Sequence, residues 1–223
     1  MPLLLYIKSI CTKLIMIKKI QLFIKRYGYK GCLDHICYYL FTKIFYNRAR
    51  MIRLPIEIRG RDFVDIGKKL TTGKYCRIEV FVHEDNYRDK KKVIEFGNNV
   101  TLNDSVHIAG YHSVKIGSNV LIASKVFISD HNHGKYLDSD PLSSPDVSPN
   151  DRPISARPVV IEDNVWLGEF VAVLPGVTIG KGSIIGAMSV VNKSIPPNCI
   201  AVGSPAKVIK QYDFVEKLWK AVK

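Results

Sequence analysis

Two histidines stand two residues apart in Asp130-His131-Asn132-His133-Gly134. An unperturbed imidazole changes charge near neutral pH, so either ring can take a proton from an attacking hydroxyl. Residues two apart on an extended segment share a face, so alternation does not choose between His131 and His133. Loop histidines also cap backbone groups. Asp130 adjoins the pair, and Asp104 lies upstream in "TLNDSV". Either carboxylate could orient a base, although an acid at a turn often only caps it. No serine or cysteine sits in an activated nucleophile motif. The other histidines are His35, His83, His107 and His112, and together the six leave zinc ligation open as a rival chemistry.

These residues open an insertion into a repeat. Ile161, Leu167, Val173, Ile179, Ile185 and Val191 are aliphatic at six-residue intervals, with Val165, Val171, Val177, Ser183, Ser189 and Ile195 four positions further on. Upstream the same period runs through Phe96, Leu102 and Ile108, then Ile116, Ile122 and Ile128 after a two-residue slip. Val100, Val106, Val120 and Val126 take the fourth positions. A weaker stretch uses Ile66, Thr72 and Ile78, with Leu70, Cys76 and Val82. Residues 83–92 are polar and expected to loop out.

A period of six means short strands joined by regular turns. Each buries one side chain inward, and stacked coils pair the backbone along an axis. Three hexads make one triangular coil, so the anchors predict about five coils, with the anchors as core. After Ile128 the period stops until Ile161. The interval, about residues 130–158, holds Pro141, Pro145, Pro149, Pro153 and Pro158, five of eleven prolines. A long proline-rich loop leaving a rigid solenoid is expected to carry function.

The N-terminal arm differs from this body. Residues 1–53 carry eleven Lys and Arg against the single Asp34, leaving +3 of the chain's +13 for the rest. Ile7, Ile10, Leu14, Ile17 and Ile24 fall at helical spacing, with Lys8, Lys18, Lys19 and Lys25 mostly off that stripe. Gly28 and Gly31 break the pattern. A second apolar stretch over residues 33–45 reads as helix and should be covered. Pro55 marks the change of architecture. The predicted division is a basic apolar helical arm over 1–54, a β-solenoid over 55–205 and a helical tail over 206–223. The tail reading rests on Val208, Ile209, Tyr212, Val215, Leu218 and Trp219.

The composition is that of a globular chain, 47% hydrophobic and 24% charged, which excludes disorder as the main state. Nucleic acid is excluded as a partner because the body presents no concentrated positive charge. A basic, apolar arm suits peripheral contact with an anionic membrane; a helix packed on its own body is the alternative. The lysines break any signal-peptide core, and no small-residue cleavage site follows. Cys11, Cys32, Cys37, Cys76 and Cys199 form no CxxC pair and are expected as free thiols. The expected location is the cytoplasm, on the inner face of the cytoplasmic membrane.

The tract "IEDNVWLGEFVAVLPGVTIGKGSIIGAMSVVNKSIPPNCIAVGSPAKVIK" resembles the C-terminal part of the hexapeptide-repeat acyltransferases, and "VKIGSNVLIASKVFISDHNHG" resembles their acceptor-site region. With "RLPIEIRGRDFVDIGKKLTTGKYCRIEVF" the chain is most similar to lipopolysaccharide, O-antigen and capsule O-acetyltransferases. The resemblance spans roughly residues 53–215. It implies a left-handed parallel β-helix, a homotrimer with sites between neighbouring prisms, acetyl-CoA as co-substrate and a saccharide acceptor.

The resemblance also implies residue roles. His133 takes the position of the catalytic base, with His131 as its competitor. Asn103 takes the position that holds the acceptor, with Asp130 beside the base. Trp166 could cover the pantetheine arm, while Gly168, Gly186 and Ala187 let it approach. Asn192, Lys193, Lys207 and Lys210 match positions near CoA backbone or phosphate. No metal is implied. Alternatives from other classes are N-acetylation of a nucleotide-linked amino sugar, a zinc-dependent β-helix enzyme and a non-catalytic β-helix scaffold.

Overall fold

A computed structural model describes residues 2–81, 91–136 and 141–222, with side chains from residue 17 onward. The hexad anchors point inward and are almost completely buried, from Leu102 and Ile108 to Ile185 and Val191. From Thr72 onward each described anchor sits in a strand of only two to five residues, so the chain turns as soon as one side chain is buried. Three parallel sheets result, and the chain visits them in rotation.

On one face Ile78, Ile108, Ile128, Val173 and Val191 stack in register. On the second, Phe96, Ile116, Ile161 and Ile179 stack. On the third, Thr72, Leu102, Ile122, Leu167, Ile185 and Ala201 do so. Each fully buried aliphatic contributes about 1.5–3 kcal/mol. Ser183 and Ser189 also face inward, and their hydroxyls donate to Pro196 O and Gly186 O, both at 2.7 Å. Val82 and His83 lie outside the described residues.

Sharp corners between faces require left-handed backbone. Asn99, Asn119, Asn164 and Asn198 adopt φ of 57–60° along one edge, a conformation asparagine tolerates better than most residues. Their side chains also ladder, with Asn99 Nδ2 donating to Asn119 Oδ1 at 3.0 Å. A second edge uses Tyr75, Ser105, Lys125, Phe170 and Met188 in the same conformation. The third edge is where the insertion leaves.

A helix over Pro2–Phe45 precedes the prism and is interrupted at Gly28, with φ 67° and ψ 175°. Its C-terminal end is tied to the body: the Thr42 hydroxyl donates to Tyr38 O at 2.6 Å and accepts the Ile52 N–H at 2.8 Å. Tyr38 and Thr42 are buried, but Leu33, Ile36, Leu40 and Ile44 are exposed in the single chain. The cover expected over residues 33–45 is therefore partial. Among the described residues no helix is long and apolar enough to cross a membrane.

Two expectations change. Instead of a helix, the tail forms strands Lys207–Asp213 and Leu218–Ala221; the first pairs antiparallel with Cys199–Val202 and the second antiparallel with the first. The last parallel strand would otherwise expose unpaired N–H and C=O groups. Pairing that edge outweighs the weak helical spacing of Val208, Tyr212 and Trp219. Tyr212 packs on its cross-strand partner Trp219, with centroids 5.2 Å apart. Asp213 accepts from Lys220 Nζ at 2.6 Å, and that bond first, with the turn N–H groups, holds its carboxyl down at about 2. The insertion is also more ordered than a loop at its root, where His131–His133 pairs antiparallel with Ile154–Ala156.

Val173→Asp or Ile185→Asp buries an unpaired carboxylate between stacked coils. Each is expected to cost at least about 3 kcal/mol, read as a large fall in thermal midpoint. An unchanged midpoint would contradict the inward register.

Candidate active site

Strand Phe127–Ser129 ends at Asp130, where the chain leaves the prism. Asp130 has no exposed surface. Its carboxylate accepts N–H groups from Tyr111, His112 and Ser113 at 2.8, 2.7 and 2.7 Å. The Nδ1 of His131 lies 3.0 Å from Asp130 Oδ1. Burial alone pushes the Asp130 carboxyl up. The bond from His131 and the three backbone donors outweigh burial and hold it below its ordinary value. With Asp130 ionised and able only to accept, Nδ1 of His131 is the donor in that contact. The His131 ring is 7% exposed and packs against Phe81 and Tyr111, with centroids at 4.9 and 6.0 Å.

His133 differs. Its residue is exposed, and its backbone carbonyl accepts the Tyr136 hydroxyl at 2.6 Å. Arg152 Nη1 donates to the same hydroxyl at 2.8 Å, and the Gly134 N–H donates to Pro153 O at 3.0 Å. Gly134 has φ 121°, and a Cβ there would run into the Tyr136 ring. The strand is thus pinned on both sides while His133 stays exposed.

The remaining candidates fall on distinct edges. Asn103 is exposed at the corner after Thr101–Leu102, beside Asp104, whose Oδ1 accepts the Lys74 N–H at 2.7 Å. That corner borders a cleft of about 740 Å³ against the N-terminal helix. Gly168, Gly186 and Ala187 lie further along the same edge, where a Cβ on Gly168 would stand 2.6 Å from Ala187 N. Trp166 is 48% exposed on the third face, paired in register with Leu121. Asn192 and Lys193 lie on the edge of the insertion, and Lys207 and Lys210 are exposed on the terminal hairpin. Within one chain the structure joins Asp130 with His131, but it leaves the Asn103 edge and the His133 edge apart.

Two features go beyond the sequence reading. Asp130 was expected to orient a base or to meet the substrate; its oxygens are fully engaged inside the prism, one of them with His131. It positions His131 and the turn at residues 111–113. Glu79, 5% exposed, accepts from Arg59 at 3.0 Å, Arg77 at 3.2 Å and His107 Nε2 at 2.7 Å. Strand alternation in "CRIEV" could have placed Arg77 and Glu79 outward, with His107 beside Arg77. This network is remote in sequence from the His131 strand.

A model of the bacterial transferase hexapeptide, six repeats, matches residues 158–193. WbbJ of Escherichia coli K12, assigned to lipopolysaccharide biosynthesis as an O-acetyl transferase, is 46% identical over 196 residues, covering 88% of this chain and 96% of WbbJ. The chain belongs to the hexapeptide-repeat acetyltransferases. Galactoside O-acetyltransferase of E. coli K12 is 39% identical, covering 73% of this chain and 74% of its own. The crystal structure of a maltose O-acetyltransferase from Clostridium difficile superposes with a TM-score of 0.54 at 32% identity, covering 69% and 72% of the two chains. This acetyltransferase shares its fold with that maltose O-acetyltransferase.

Asp130→Asn removes the charge from four hydrogen bonds and is expected to cost about 1.5–3 kcal/mol. Because the folded carboxyl lies below its unfolded value near 3.8, the difference from wild type is fully present above that pH. It is lost as pH falls through the lower folded value. Melting of both proteins between pH 7 and 3 checks this; a gap that widens in acid would contradict the ionised assignment.

Proposed function

We propose that this acetyltransferase moves an acetyl group from acetyl-CoA to a hydroxyl of a cell-surface polysaccharide or its lipid-linked precursor, with His133 as general base. The observation that carries the proposal is an exposed histidine on a pinned strand pair, in a chain 46% identical to WbbJ over nearly all of that protein's length. His131 is locked by Asp130 and two aromatic rings, so it positions the strand, and the freer His133 ring can meet an acceptor.

The reaction needs no covalent enzyme intermediate. The acceptor oxygen attacks the thioester carbonyl as His133 takes its proton. The tetrahedral oxyanion collapses, the C–S bond breaks, and the imidazolium proton goes to the departing CoA thiolate. Asn103 holds the acceptor. Trp166, Gly168, Gly186, Ala187, Asn192 and Lys193 line the acetyl-CoA path, with Lys207 and Lys210 toward its phosphates. Lysine there acts as a point charge.

This reading calls for a homotrimer of left-handed prisms. The Asn103 and His133 edges belong to different corners, and a neighbouring copy can bring one against the other. Exposed Leu121, Trp166, Phe170 and Met188 provide apolar surface for such packing. The rotation of the chain through the three sheets is consistent with five coils. The arm, with Ile17, Ile20 and Leu22 exposed beside Lys18, Lys19 and Lys25, holds the enzyme to the cytoplasmic face of a membrane.

His133→Ala is expected to lower turnover about 10²–10⁴-fold, with acetyl-CoA affinity nearly unchanged. His131→Ala should retain more activity. Labelled acetyl-CoA with candidate saccharides, followed by mass mapping, gives both numbers. Equal, small losses would remove the assignment.

Lys18→Glu, Lys19→Glu and Lys25→Glu together should weaken co-sedimentation with anionic vesicles at least about tenfold at low salt, since each near-surface base adds about 1 kcal/mol. Binding to neutral vesicles should change little. Equal partitioning of both proteins would place the arm on protein rather than lipid.

A further inference from the structure

The cleft beside Asn103 carries more positive charge than a neutral sugar requires. Its walls come from two elements: the helix supplies Arg26, Lys30 and Tyr38, and the prism supplies Arg53, Lys74 and Asn103. Asp34 and Asp104 also line it, giving four bases against two acids. Both acids are engaged on the Lys74 side. Asp104 accepts the Lys74 N–H, and Asp34 lies 3.9 Å from Lys74 Nζ. Arg53 Nη1 donates to Thr72 O at 2.8 Å.

Arg26 and Lys30 are left uncompensated. Arg26 lies over the Tyr27 ring at 5.3 Å. Among the described residues neither Arg26 nor Lys30 has an ion-pair partner. They flank the break at Gly28, and both line the cleft. Neighbouring Phe23, Leu22 and Tyr29 are exposed apolar residues on the same helix. A cleft of about 740 Å³ accommodates a phosphorylated sugar.

We propose that the acceptor is anionic: a saccharide esterified through phosphate or diphosphate to an apolar carrier, with Arg26 and Lys30 on the phosphate side of the cleft and Asn103 on the sugar side. The proposal rests on the acetyl-transfer reading and deepens it by naming the acceptor class. An arginine presents a donor fork to phosphate oxygens, and a lysine adds a mobile point charge. The exposed apolar helix surface beside them gives the carrier a path away from the prism.

Inorganic pyrophosphate, farnesyl diphosphate and farnesol are the probes, titrated into the full-length protein with CoA at saturation so that the cofactor's own phosphate contacts are occupied. Both diphosphates should bind saturably, and farnesol should not. Arg26→Glu and Lys30→Glu should each weaken diphosphate binding about tenfold or more, with the thermal midpoint and CoA binding unchanged. Lys207→Glu should weaken CoA alone.

Diphosphate binding that ignores the cleft substitutions, or that falls only with Lys207→Glu, overturns the proposal. So does displacement of farnesyl diphosphate by phosphatidylglycerol vesicles, which would make the cleft a lipid-headgroup contact. Binding is read without acetyl transfer. Loss of the cleft phenotype with transfer to neutral sugars intact therefore sinks the acceptor class alone, whereas diphosphate binding without any transfer sinks the acetyl-transfer reading alone.

Discussion

Register is the constraint on which the rest depends. Each coil lays an aliphatic side chain directly over the one before it, as in the column from Ile78 through Ile108 and Ile128 to Val173. One column cannot shift without dragging the other two, because the chain visits all three sheets every turn. A slip by one residue would turn every anchor to solvent. The interior is therefore spent on packing, and chemistry is pushed to the edges and excursions. That is why the candidate residues occur at corners, on the insertion and on the terminal hairpin.

The insertion shows how a rigid column can carry a precise side chain. Asp130 occupies the inward column above Val80 and Gly110, where the stack would otherwise continue with an aliphatic residue. A buried carboxylate there is tolerable only because four donors meet it. Those donors come from the preceding coil and from His131. The same bonds that satisfy the charge fix where the excursion begins. His133 inherits that placement two residues later, and its pairing with Ile154 fixes the return strand.

The hexad core was legible from sequence because burial at every sixth position leaves an unambiguous aliphatic signal. The insertion was legible by the same signal's interruption, and His131 and His133 by their chemistry within it. The tail was not, because Val208, Tyr212 and Trp219 satisfy a helical spacing as well as a hairpin. What decided it was the exposed edge of Cys199–Val202, a tertiary fact with no local trace. The depth of Asp130 was not legible for a related reason. Its donors Tyr111, His112 and Ser113 lie a full coil earlier, so no local pattern marks it as a buried cap. The Glu79 network, assembled from Arg59, Arg77 and His107, is non-local in the same way.

The charge asymmetry has a physical counterpart in the fold. A prism closed by register has little room to evolve recognition within its walls, whereas a helix laid against one edge can be altered residue by residue. Thr42 and Ile52 fasten the helix end, and Gly28 breaks the helix between Arg26 and Lys30, which both line the cleft. Charges on the arm would be felt by an anion within about a Debye length of 8–10 Å, and those lining the cleft are placed for direct contact. On the proposed reading, the same helix would gather an anionic partner and present it to the Asn103 corner, while the stacked core stays unchanged.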